Sequence, residues 1–184
     1  MKKLRSDIEH FNRLRGHTVE VRTFKFVLAC ANPRMVRMVL IRLAEFFDAK
    51  SLGAFAKFCS MLNVVIFGIE VSPKVKIDGG LFLPHTVGTV IGAASIGRNC
   101  TIMQGVTLGA LESDLSFTAG ARPVIGNEVV IGAGAKILGG ISVGDHAKIG
   151  ANAVVLCNIP AHAVAVGVPA RVLVRHPNGQ TNAE

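Results

Sequence analysis

The sequence predicts a mainly β protein, a parallel β-helix preceded by a helical region, and three observations carry that expectation. Aliphatic residues recur at Ile125, Ile131, Ile137, Val143, Ile149 and Val155, a strict period of six. Glycine follows at Gly126, Gly132, Gly144 and Gly150. Six is neither the period of a helix nor that of a lone strand; a fixed short repeat of this kind marks stacked coils. Each hexad is a short strand plus a corner, with one aliphatic pointing into the shaft. Three hexads make a triangular coil, about 4.8 Å from the next, and glycine beside the aliphatic lets the backbone turn without a Cβ clash. Finally, half of the 184 residues are hydrophobic while Trp and Tyr are absent, which suits a shaft filled by small aliphatics.

Residues 1–68 read as helical. Ser6 and Glu9 form an S-x-x-E capping box that opens a first short helix. Asn32 and Pro33 are an N-cap and a proline at the first helical position. The helix they start runs to about Ala49, with Arg34, Arg37, Arg42, Glu45 and Asp48 as a narrow polar stripe on an otherwise apolar surface. Ser51 caps a third helix that reaches about Phe67. So small a bundle needs something to cover it, whether the β-helix, another subunit or a bilayer surface, and packing between subunits is the preferred expectation.

The hexads begin at Val71 and continue through Ile77, Leu83, Ile91, Ile96, Ile102 and Leu108. The step from Leu83 to Ile91 is long and the next is short, and this irregularity brackets His85; departures from a local rule tend to sit at functional sites. Residues 111–122 lack the repeat and read as a loop thrown out from one corner, a functional candidate by its length. Six strict hexads follow, and residues 175–184 read as a polar tail. The domain reading is therefore 1–68 helical, 69–174 β-helix with the 111–122 loop, and the tail. A shaft of this kind has exposed edges at its ends and needs caps, which the N-terminal helices supply at one end.

The net charge is +8, and residues 1–50 carry 11 Lys/Arg against 5 Asp/Glu while the rest carry 9 against 7. The basicity thus belongs to the helical region. It reads as a solvated face, the alternative being peripheral contact with an anionic membrane or a polyanionic substrate. No zinc finger, recognition helix or aromatic-interleaved basic stripe is present, which argues against nucleic acid. The uncharged run Gly79 to Gly97 contains Pro84, His85 and five glycines, so it is no spanning helix. Cys30, Cys59, Cys100 and Cys157 lack metal-ligand spacing and read as reduced thiols of a cytoplasmic protein.

Six histidines are candidates for chemistry: His10, His17, His85, His146, His162 and His176. No H-x-x-x-x-H pair occurs, so a three-histidine zinc site has no support and no metal is expected. His146 lies in a regular hexad and reads as surface structure. His85 differs, lying between Pro84 and Thr86-Val87-Gly88 at the irregular coil. A neutral imidazole there accepts a proton from a hydroxyl nucleophile if a carboxylate fixes its tautomer. Glu70 and Asp78 are the acids in residues 50–110, so one of them is the partner.

The segments FGIEVSPKVKIDGGLFLPHTVGTVIG, TIMQGVTLGA, IGAGAKILGGISVGDHAKIGANAVVL and AVGVPARV resemble the serine acetyltransferases, left-handed parallel β-helix acyltransferases, across about residues 67–174. The left hand of the helix is what this resemblance implies. So are the roles that follow. The family's catalytic histidine, in its D-H-A-T-G motif, falls on His85, and the acid fifteen places earlier falls on Glu70. Acetyl-CoA is the implied donor, lying in a groove between two shafts of a homotrimer. Its contacts map to Gly109, Ala110, Ala133 and Ala151, with Lys148 and Arg171 for phosphate. Backbone N–H groups near Gly109 and Ala110 are placed at the oxyanion.

The family's aspartate before the histidine is Pro84 here, and its R-H-P motif becomes Ala121-Arg122-Pro123. Arg122 is the candidate for holding the acceptor. Losing the polar groups that hold a small zwitterion weakens its selection. The expectation is therefore an acetyl-CoA-dependent O-acetyltransferase acting on a sugar or polysaccharide precursor, as in the exopolysaccharide O-acetyltransferases that short family members also resemble. The alternative is serine O-acetylation for cysteine biosynthesis. A non-catalytic β-helix scaffold is the other class, favoured if His85→Ala left the biological activity intact.

Overall fold

The computed structural model describes residues 2–16, 32–114, 116–175 and 181–183; His17, Cys30 and His176 lie outside them. Among the described residues three α-helices lead: α1 (Lys2–Leu14), α2 (Pro33–Ala49) and α3 (Gly53–Phe67). The β-helix follows in three parallel faces. Face A stacks β1 (Ile69–Val71), β3 (Thr89–Ile91), β6 (Thr107–Gly109), β9 (Lys136–Leu138) and β12 (Val154–Val155). Face B stacks β2 (Lys76–Ile77), β4 (Ser95–Ile96), β7 (Val124–Ile125) and β10 (Ser142–Val143). Face C stacks β5 (Thr101–Ile102), β8 (Val130–Ile131), β11 (Lys148–Ile149) and β13 (Val164–Val166). It then turns antiparallel through β14 (Arg171–Arg175) and β15 (Thr181–Ala183). The expected polar tail thus returns to the sheet.

Every aliphatic of the period-six series from Val71 to Val155 is buried in the shaft. Stacking is in register, Ile96 on Ile125 on Val143 and Ile102 on Ile131 on Ile149. The glycine after each aliphatic works differently from the sequence expectation. A Cβ at Gly126 would lie 2.8 Å from the Asp145 backbone nitrogen, and one at Gly144 2.4 Å from that of Ala161. Close approach of successive coils excludes the side chain there. The left-handed backbone comes two residues later, at Asn99, Glu128, His146 and Asn152.

The helical cap satisfies the open edge of the first coil, whose backbone groups have no neighbouring strand on that side. Asp7 Oδ1 accepts from the N–H groups of Gly80 and Leu81 at 2.8 and 3.0 Å. Arg42 donates to the carbonyls of Ile77 and Asp78 at 2.9 and 2.7 Å, and Ser60 Oγ reaches that of Val71. Three expectations change as a result. Arg37 and Arg42 are buried rather than solvated, because the face they occupy meets exposed carbonyls. Ser6 lies inside α1, packed where a side chain at Gly79 would stand, so its capping box goes unused. Ser51 has φ +59° and sits in the turn after α2, and Leu52 precedes α3 without a side-chain cap. Asn32 does open α2, its carbonyl accepting from Met35 and Val36. Among the described residues, no helix is long and apolar enough to cross a membrane.

Candidate active site

His85 is carried by the corner that joins face C to face A in the first coil. This corner is wider than those above it, which is the physical content of the long Leu83–Ile91 step. It is also tightly braced. Thr86 Oγ1 donates to the Phe67 carbonyl at 2.8 Å, and the Gly88 N–H to that of Gly68 at 2.9 Å. From above, the Gly105 N–H reaches the Val87 carbonyl at 3.1 Å. From the helical cap, Arg37 Nη2 donates to the carbonyls of Leu83 and Pro84. The His85 ring itself is exposed, beside Val87 at 76% exposure. A fixed backbone thus presents a free imidazole on the outside of the shaft.

Glu70 comes to the same edge. Helix α3 ends at Gly68 in the left-handed conformation, φ +63°, and the chain passes at once into β1. Ile69 and Val71 point inward and Glu70 outward, in register with Val90 one coil on. The corner bearing His85 is bonded to Gly68, two residues before Glu70. Neither side chain is hydrogen-bonded to another described residue, so both face outward and are available to a ligand or a neighbouring chain. Asp78, the other acid considered, lies at the corner between faces B and C, its carbonyl held by Arg42.

The remaining candidates divide between two edges. Ala133 and Ala151 lie at the C–A corners above His85, in a ladder running from the Gly134 N–H to the Gln104 carbonyl and from the Asn152 N–H to the Ala133 carbonyl. His85 to Ala151 spans three coil steps, about 14 Å. Arg171, exposed on β14 opposite Val166, stands at the far end of that edge, and Lys148 is exposed on face C. Gly109 and Ala110 lie instead at the A–B corner, where the 111–122 loop departs. Together with Leu111, Asp114, Gly139 and Gly140 of that loop and the next corner, Ala110 lines a cleft of about 420 Å³.

Arg122 closes this loop. Its Nε bonds Asp114 Oδ2 at 3.0 Å, Nη2 the Asp114 carbonyl at 2.8 Å and Nη1 the Gly92 carbonyl at 2.9 Å. The guanidinium lies 4.3 Å over the Phe117 ring. Asp114 also accepts from Ser116 Oγ and the Thr118 N–H. Burial raises the Asp114 pKa, but these bonds and the Arg122 charge outweigh it and draw it down to about 2. Every edge of the Arg122 fork that the loop can reach is thus engaged within the chain.

Residues 122–157 match the model of the bacterial transferase hexapeptide family, six repeats. The chain is 43% identical over 144 residues to the serine acetyltransferase of Helicobacter pylori, covering 78% of this chain and 82% of that one. The chain belongs to the serine acetyltransferase family. It is an O-acetyltransferase. The serine acetyltransferase of Synechococcus elongatus is 38% identical over 151 residues, 81% of this chain and 60% of its relative. Among solved structures, the Neisseria gonorrhoeae serine acetyltransferase in complex with serine superposes with a TM-score of 0.77 at 29% identity, over 92% of this chain and 67% of that one. The Brucella abortus serine acetyltransferase in complex with coenzyme A gives 0.78 at 31% identity, over 100% and 69%. The parallel β-helix with its helical cap is therefore the family's fold.

Sequence reasoning singled out His85 and Glu70, which this structure brings to one edge. It did not foresee the hydrogen bonds of Arg37 to this corner, having read Arg37 as one member of a polar stripe. The signal was weak: one arginine of three in a hexad-free helix, with nothing to say that carbonyls would face it.

Proposed function

We propose that the protein is a serine O-acetyltransferase that moves the acetyl group of acetyl-CoA to the serine hydroxyl. The observation that carries this reading is the braced C–A corner, which exposes His85 at the edge shared with Glu70. The expectation of a saccharide acceptor gives way to its alternative, because the relatives and solved structures described above are serine acetyltransferases, one of them in complex with serine. The donor reading is supported by the relative in complex with coenzyme A.

In the proposed reaction, neutral His85 accepts the hydroxyl proton as the serine oxygen attacks the thioester carbonyl. Glu70 steadies the imidazolium that forms. The tetrahedral intermediate collapses by breaking the C–S bond; the departing sulfur takes the proton back from His85, leaving O-acetylserine and CoA. Ala133, Ala151 and Arg171 line the edge along which the CoA arm runs. Gly109 and Ala110 lie on a different edge of the same shaft, so a role for their N–H groups at the oxyanion requires a neighbouring chain. A side-by-side homotrimer, with the A–B edge of one shaft against the C–A edge of the next, supplies it. Arg122 orders the loop beside that edge, and its influence on the acceptor passes through the loop's shape.

Thiol release from acetyl-CoA by the purified protein tests the reading, with L-serine and a saccharide panel as acceptors. Serine turnover that falls on the order of 10² to 10⁴ in His85→Ala supports it. Turnover with saccharides alone overturns the acceptor, and full activity in His85→Ala overturns the mechanism.

A further inference from the structure

Helix α2 grips the first coil at two corners through two buried arginines. Arg42 holds the carbonyls of Ile77 and Asp78 at the B–C corner, while Arg37 holds those of Leu83 and Pro84 at the C–A corner. The first grip is remote from His85. The second falls on the two peptide groups that flank Pro84, the residue immediately before it. Proline has a locked φ near −65° and no N–H, so fixing the planes on both sides of Pro84 leaves that residue no conformational freedom. Downstream, Thr86 is tied to Phe67. His85 is therefore the one residue between two anchors, and the upstream anchor is a side chain from the helical cap.

We propose that Arg37 is a positioning residue for catalysis: by holding the Leu83 and Pro84 carbonyls it sets the angle at which His85 meets the reacting hydroxyl. This rests on the reading of His85 as the general base. A guanidinium suits the task because the two N–H donors of its planar Nη2 group point in fixed directions, toward the Leu83 and Pro84 carbonyls, whereas an ammonium is a compact charge on a flexible stem. At 7% exposure Arg37 has no room to reach the substrate, so its effect travels through the backbone. The Asn63 amide donates to the Arg37 carbonyl at 3.4 Å, which ties this stretch of α2 to α3 and keeps the fork aimed.

Arg37→Met removes the donors and keeps much of the stem; Arg37→Lys keeps the charge and loses the fixed direction of the two Nη2 donors. Misplacement of a reacting group on the ångström scale costs about 10²-fold, so kcat should fall by about that factor in Arg37→Met and by about tenfold in Arg37→Lys. The KM for acetyl-CoA should be unchanged, because the donor edge above His85 is intact. A purely structural role would lower the melting temperature and leave kcat of the folded protein alone. Folded Arg37→Met with wild-type kcat overturns the proposal, as does a fall in kcat matched by an equal loss of acetyl-CoA binding. Should Arg37→Met fail to fold, wild-type kcat in Arg37→Lys overturns it. Kinetics are run with whichever acceptor the wild type turns over, so failure of serine would sink only the acceptor assignment. The ¹H–¹⁵N signals of the His85 ring, assigned with His85→Ala, give a reading free of turnover. They move and broaden in both variants if Arg37 positions the ring, and stay in place if it does not.

Discussion

Asp7 and Arg42 meet beneath the first coil in a two-pronged ion pair, Nε to Oδ2 and Nη2 to Oδ1, both at 2.9 Å. The Asp7 side chain is fully buried and that of Arg42 is 8% exposed. Both also serve the open edge of the coil, Asp7 accepting two backbone N–H groups and Arg42 donating to two carbonyls. The pair thus replaces the strand that would otherwise lie there, and it joins α1, α2 and the β-helix at one point.

Breaking this pair from one side strands a buried charge. Arg42→Met should cost about 3–5 kcal/mol, the usual penalty for an uncompensated buried ion, read by urea denaturation at neutral pH. Asp7→Asn combined with Arg42→Met should recover part of the loss, since neither charge then remains. A single variant as stable as wild type would show the cap to be dispensable.

Acid should loosen the 111–122 loop before it unfolds the shaft. Asp114 has a folded pKa of about 2 against an ordinary value of about 3.9. The ionised form is therefore favoured by folding. Its contribution is fully present above about pH 4 and is lost as pH falls toward 2. The Thr118 amide resonance, bonded to Asp114, should shift in that window, and Asp114→Asn should show the shifted position already at neutral pH. A resonance unmoved by either change would sink the clasp.

His10 should make stability fall on mild acidification. Both ring nitrogens are buried without a partner among the described residues. Burial lowers its pKa, helped by Arg13 and opposed by Asp7 and Glu128. The unfolded chain takes up a proton near pH 6.5 that the folded chain resists. Stability is then lost as pH drops through that value. The melting temperature of His10→Phe should change less than wild type between about pH 7.5 and 5.5. Parallel curves would remove His10 as the cause.

The described cysteines should separate cleanly in a labelling experiment. Burial pushes the Cys100 thiol up to about 11, against the pull of hydrogen bonds from Val129 and Glu128, and burial raises Cys59 as well. Cys157 is exposed. Thiolate is the reactive form, so a thiol reagent on the native protein should mark the Cys157 peptide and leave Cys100 untouched until denaturant is added. Early modification of Cys100 would mean that the coil corner opens.

The shaft was legible because its rule is local: one inward aliphatic per six residues, from Ile77 to Val155, needs no knowledge of what lies across the core. The wide corner that carries His85 was legible for the opposite reason, as the place where the rule breaks. The face of α2 was misread because helical periodicity assumes that charge seeks water. Here the helix covers the end of a β-helix, where unpaired carbonyls compete for the same donors, so Arg37 and Arg42 turn inward while Leu43 and Phe46 are exposed. Ser6 and Ser51 failed as caps because several sequence positions offer the same local bonds, and tertiary packing selects among them. The separation of Gly109 and Ala110 from Ala133 and Ala151 was hidden too, since assigning a corner requires counting hexads across the irregular coil.

The 111–122 loop leaves face A after Gly109 and returns at Pro123, whose carbonyl accepts from the Ala94 N–H at 2.9 Å. The next strand then falls directly on its predecessor, Val124 on Ser95 and Ile125 on Ile96. The strand pairing itself is made by β4 and β7 alone, without a residue of the loop. Doubling such a segment costs only about 0.6 kcal/mol in closure entropy. The shaft therefore acts as a chassis with a single exchangeable cassette. A longer or shorter segment at that position leaves the register of the coils on either side of it unchanged.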